Sequence, residues 1–159
     1  MSQKDNSKPG ALNVPAQSQI HDIKISDAIL RLSEPLRKKY TDIHRTQAVV
    51  AITIMAWNMS LFPKEERLNV HQILIGDLSK KIRGKDLSIL LDNINALIDR
   101  KDKEYPFIRE YILKHTLSFS GDTITLTVET TEVPEEILRK VLQSENHKIN
   151  TKGSYKFKA

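Results

Sequence analysis

The side chains with the greatest capacity for chemistry in this sequence are cationic, and they fall in three runs. Arg37, Lys38 and Lys39 stand together in "LRKK". Lys80, Lys81, Arg83 and Lys85 occupy "KKIRGK", and Lys148, Lys152, Lys156 and Lys158 punctuate "KINTKGSYKFKA" at the carboxyl end. Closely spaced ammonium and guanidinium groups can neutralise successive phosphates, an attraction that collapses as salt rises. In the last run Tyr155 and Phe157 alternate with lysine, which suits stacking plus charge on a single strand. The candidate nucleic-acid contacts are therefore Arg37, Lys38, Lys39, Lys80, Lys81, Arg83, Lys85, Lys152, Lys156 and Lys158. The competing reading is solvated lysine at helix ends, where the dipole favours positive charge.

Catalytic constellations are scarce. The chain has five glycines and none cluster, so no phosphate loop or dinucleotide fingerprint is written in it. There is neither a paired-histidine zinc helix nor a G-x-S-x-G elbow. His21, His44, His71, His115 and His147 are scattered without ligand spacing, and neither metal nor cofactor is expected. One pair invites a specific mechanism: six residues separate Arg37 from His44. That spacing is similar to the Arg-x(4–6)-His arrangement of a superfamily of small helical ribonucleases. The resemblance implies an arginine that stabilises the charge on phosphorus and a histidine that moves a proton. Arg109 and His115 repeat the spacing inside a strand, and a hairpin suits an all-helical superfamily poorly, so no catalytic residue is assigned.

Charge distribution points the same way. The 159 residues carry 25 Lys and Arg against 20 Asp and Glu, giving a net +5 and an isoelectric point near 9.4. Segments 1–45, 64–83 and 146–159 carry net +3, +2 and +4, whereas 84–145 carries −4. Such asymmetry permits a polyanionic partner. Cysteine is absent, which removes disulfides, thiolate metal sites and cysteine nucleophiles and fits a reducing compartment. The first twenty residues lack the apolar core of a signal peptide, so the expected location is cytoplasmic. The longest greasy stretch, Ala48 to Phe62, spans about 22 Å as a helix, short of a bilayer's ~30 Å hydrocarbon core. It predicts a buried helix, with no membrane partner.

These groups must be positioned by the elements around them. Residues 1–20 are polar, interrupted by Pro9, Gly10 and Pro15, and predict a disordered tail; 21–145 predict one α+β domain, and 146–159 a basic tail. Ser26 can cap a first helix bearing Ile29, Leu32, Leu36 and Tyr40, with Pro35 expected to kink or restart it. A second helix over 46–61 is apolar nearly all round: Val50, Ile54, Trp57 and Leu61 make one face, and Ala51, Met55, Asn58 and Phe62 the next. Val49, Thr53, Ala56 and Ser60 make a small-residue stripe. Such a helix is expected at the centre, with Asn58 needing partners. A third helix is expected from Pro63 to Leu78, burying Leu68, Ile73, Leu74 and Leu78. A fourth, from Asp86 to Lys101, carries the stripe Leu87, Leu90, Leu91, Ile94, Leu97 and Ile98.

The period then changes from helical to alternating. A two-residue turn at Gly121-Asp122 pairs Phe119 with Ile124, Leu117 with Leu126 and His115 with Val128. Tyr111, Leu113, His115, Leu117 and Phe119 then share an apolar face, with His115 partly buried on it. The hairpin is expected over 109–131, and residues 134–143 predict a last amphipathic helix. The fold class is thus α+β and mostly α, with about five helices around 46–61 and one antiparallel hairpin. A two-stranded sheet leaves an edge on which a partner chain or a second copy could add. The leading functional expectation is a small non-enzymatic interaction or accessory module acting with a protein partner. DNA or RNA binding is the alternative.

Overall fold

A computed structural model describes residues 24–140 and residue 143; in the third helix the side chains at 68–69, 72–75 and 77–79 lie outside that description. Both expected tails, with Lys152, Lys156 and Lys158, fall outside the described residues, as do the side chains of Leu68, Ile73, Leu74 and Leu78. The described chain is α+β and mostly helical, in the order α1 (Ile25–Lys39), α2 (Ile43–Ser60), α3 (Lys64–Lys81), α4 (Lys85–Glu104), β1 (Tyr111–Ser120) and β2 (Thr123–Thr131). A fifth helix follows Pro134, whose carbonyl accepts the amides of Ile137 and Leu138.

Helix α1 starts one residue before Ser26. The Lys24 carbonyl takes the amides of Asp27 and Ala28, so the first turn closes on backbone and needs no serine cap. Nor does Pro35 restart the helix, which runs through it as one element. In the turn before the ring, Ser33 Oγ and Arg37 Nη2 both donate to the Leu30 carbonyl, at 3.0 and 2.8 Å. These bonds fall one residue before Arg31, whose carbonyl Pro35 leaves without an amide donor. Helix α2 opens at Ile43, three residues before the expected Thr46, because Asp42 accepts the Arg45 amide at 2.9 Å and acts as N-cap.

Helix α2 contacts α1, α3, α4 and β1. Its two halves differ. From Ala56 to Ser60 five consecutive residues are buried, whereas Ala51 is exposed and Ile52 and Met55 are half-buried. The stripe Val49, Thr53, Ala56 and Ser60 is buried throughout. Its hydroxyls are satisfied inside the helix, Thr53 by the Val49 carbonyl at 2.8 Å and Ser60 by that of Trp57 at 2.6 Å. Trp57 is fully buried among Ile29, Leu32, Val50 and Ile94 of the same core. Cavity creation there costs about 3–5 kcal/mol for Trp→Ala. From α4, Leu90, Ile94, Leu97 and Ile98 join the core, with Leu87 and Leu91 half-buried.

The hairpin has the expected register, Phe119 opposite Ile124, Leu117 opposite Leu126 and His115 opposite Val128. Gly121 has φ +56° while Asp122 keeps φ negative, a glycine-first turn of the II′ kind. One correction concerns the base of β1. The register shifts between Ile112 and Lys114, so Leu113 is a bulge residue opposite no partner. The bulge gives Ile112 the inward place expected of Leu113; Ile112 is 3% exposed and Leu113 48%. His115 is also exposed rather than partly buried. The helical layer reaches past that position, since Val128 opposite it and the Leu117–Leu126 pair beyond it pack on the core, but His115 itself is left in solvent.

The bulge also gives Asn58 its partners. Asn58 Oδ1 accepts the Ile112 amide at 2.8 Å, and Nδ2 donates to the Ile112 carbonyl at 2.9 Å. One turn-neighbour back, Trp57 Nε1 donates to the Glu110 carbonyl at 2.9 Å. Two adjacent side chains of α2 therefore stitch three backbone groups at the outer edge of β1, where a third strand would otherwise bond.

Candidate functional site

Short connections of three residues or so make successive helices run antiparallel. The carboxyl end of α1, the amino end of α2, the carboxyl end of α3 and the amino end of α4 therefore gather at one end of the helical layer. Two of the sequence's basic runs thus fall at the same end: Lys38 and Lys39 close α1, while Lys80, Lys81, Arg83 and Lys85 span the α3–α4 junction, all exposed. Arg45, on the first turn of α2, adds a cation that the sequence clusters did not include. Glu34, Asp42 and Asp86 partly offset this charge. Lys38 pairs with Glu34 at 2.7 Å and Arg45 with Asp42 at 3.1 Å, both exposed and worth little. Lys39 and Arg45 each sit over the Tyr40 ring, 5.5 and 5.8 Å from its centre.

Arg37 does not join this array. Its guanidinium folds back along α1, Nε on Ser33 Oγ at 2.9 Å and Nη2 on the Leu30 carbonyl. His44 is exposed on the first turn of α2 and shares no bond with it. The arginine of the ribonuclease-like pair is thus engaged as a helix brace.

Between the cations runs an apolar groove. Its wider part, about 280 Å³, lies among Leu36 of α1, Tyr40 just after it, Ala48 and Ile52 of α2, and Ile89 of α4. A second part, about 190 Å³, continues between α1 and α4 over Leu32, Pro35, Ala96 and Leu97; the two share Leu36 and Asn93. From Asp86 to Arg100 the groove follows α4 for roughly 21 Å, about four helical turns. Ile89 lines it and is 43% exposed. Arg45 stands at one end, and Arg100 at the other, where it donates to the Leu32 carbonyl at 2.8 Å and pairs with Glu104.

A separate recess opens at the opposite end of α2. About 580 Å³ in volume, it is bounded by the α2–α3 turn, the last turn of α4 and the 106–109 segment. Lys64, Arg67, Lys101 and Arg109 line it, with Asp102. Arg67 is a clamp: it grips Asp102 with two nitrogens at 2.7 and 3.3 Å and also donates to the Phe62 and Ser60 carbonyls. Lys101 is 3% exposed, its Nζ 2.7 Å from the Ile108 carbonyl and 4.8 Å from the centre of the Trp57 ring. Desolvation lowers its pKa from 10.5 to about 8; the nearby Asp102 raises it, while Arg109 and Arg67 lower it. No basic run marks this site in the sequence, because positions 64, 67, 101 and 109 are scattered. The visible cue was limited to a lysine, Lys101, falling on the apolar stripe of α4 one turn beyond Leu97.

Among the described residues no three His, Asp or Glu side chains converge as metal ligands, and no helix is long and apolar enough to cross a membrane. Comparison with protein families, curated proteins and solved structures returns no match, so geometry alone carries the functional reading.

Proposed function

We propose that this protein is a small, non-enzymatic interaction module of the cytoplasm, and that its groove docks an acidic amphipathic helix of a protein partner. The supporting observation is the groove along α1 and α4, apolar inside and lined at its two ends by Arg45 and Arg100, with the exposed Lys38, Lys39 and Lys85 on the adjoining helix ends. Its length suits an i, i+3, i+4, i+7 set of anchors, the way helices are read in grooves. The surrounding cations favour Asp and Glu on the partner's flanks and speed encounter at low salt.

The convergence of two basic runs at this end supports a second reading, a polyanion such as RNA or DNA crossing the rim. A peptide-display selection on the folded protein separates them. The docking reading expects enrichment of Leu, Ile or Phe at helical spacing among acidic residues, with binding lost in Ile89→Asp. Gel shift of RNA or DNA at low salt, unaffected by Ile89→Asp and abolished by Lys38→Glu with Lys85→Glu, would favour nucleic acid instead. Selected peptides that bind Ile89→Asp as tightly as the parent would remove the groove from the account.

A further inference from the structure

We infer that the recess at the α2–α3 turn is a binding site for a phosphorylated small molecule, distinct from the groove and served by the other end of α2. The charge balance carries this. Arg67 and Asp102 neutralise each other through a bidentate pair, which leaves Lys64, Lys101 and Arg109 facing one cavity without a paired carboxylate. Lys64 and Arg109 are exposed and, among the described residues, make no hydrogen bond or ion pair, so their donors are available to a ligand. Lys101 is buried, and it spends one donor on the Ile108 carbonyl. Three cations held together in a half-enclosed space repel one another, and a multiply charged oxyanion removes that repulsion. The recess also meets the first turn of α3, an 18-residue helix whose positive dipole end adds to the field. Glu65 and Glu66, in that same turn, do not line the cavity. At about 580 Å³ the space exceeds a bare phosphate and falls within the usual range for small-molecule sites, about 300–1,000 Å³. Phe62 and Pro106 supply an apolar wall for the rest of the molecule.

Trp57 is the only tryptophan and lies against Lys101, so its emission reports directly on the recess. Pyrophosphate is the probe, titrated into the full-length protein at low salt while emission and thermal midpoint are followed. A saturable emission change with a raised midpoint is expected. Lys64→Ala combined with Arg109→Ala should weaken binding at least tenfold without lowering the ligand-free midpoint, since neither side chain holds the fold and their removal relieves the repulsion. Ile89→Asp should leave it unchanged, which separates this site from the groove. No response up to 10 mM pyrophosphate, equal affinity in the double variant, or equal response to citrate and sulfate would overturn the assignment.

Discussion

Replacing Asn58 with leucine keeps the side chain's size and removes both of its bonds to Ile112. The amide and carbonyl of Ile112 face away from β2, and the residue is 3% exposed, so water does not replace the lost partner without opening the packing. An unsatisfied buried polar group costs about 1–3 kcal/mol, and a carbonyl sits at the lower end. The two together give about 2–4 kcal/mol, a large share of the roughly 5–15 kcal/mol that stabilises an ordinary domain. Urea unfolding followed by Trp57 emission measures it. With a slope of about 1.5 kcal/mol/M, the midpoint should fall by about 1.3–2.7 M. Hydrogen exchange of the Ile112 amide should accelerate more than that of Leu126, because the lost bond is local. A midpoint within 0.3 M of the parent, with Ile112 still protected, would refute the idea that Asn58 holds the edge of β1.

Other outcomes follow from the same contacts. Gly121→Val forces a β-branched residue to φ +56°, which costs about 1–2 kcal/mol and should appear as a lower midpoint and weaker hairpin amide protection. Lys101 titrates near 8 when folded and 10.5 when unfolded, so between those values the unfolded chain binds more protons and stability rises with pH. The parent should therefore gain stability relative to Lys101→Met from pH 8 to pH 10.5, with its contribution falling away as pH drops through 8; paired urea curves at several pH values check the sign. Trp57 is fully buried, so acrylamide should quench it far less in the native protein than in urea, and equal quenching would contradict the packing described.

Much of this architecture was legible in the sequence because its rules are local. The period-two run from His115 to Phe119 against Ile124 to Val128, joined by Gly121-Asp122, admits one register that collects the apolar residues, and that register is observed. The bulge at Leu113 was not legible. It depends on Asn58, 54 residues distant, taking the backbone of Ile112, a contact no local period encodes. The early start of α2 is encoded by Asp42 as a cap, whereas the apolar pattern begins only near Thr46. Of the candidate site, the exposed cations of 38–39 and 80–85 were visible as runs, whereas their meeting at one end is a product of helix topology. Arg37 is indistinguishable from its neighbours in sequence, and its inward fold depends on Ser33 Oγ and the Leu30 carbonyl, one and two turns back, which a run of cations does not reveal. The recess was illegible because its four cations come from three elements and 46 positions of chain.

The most direct test of the groove is a backbone-amide NMR titration with a selected acidic amphipathic peptide. Shifts confined to Leu36, Ala48, Ile52, Ile89 and Ala96, absent in Ile89→Asp, are what the docking account predicts. Shifts centred on the hairpin or spread evenly over the lysines, with the groove amides unmoved, would contradict it.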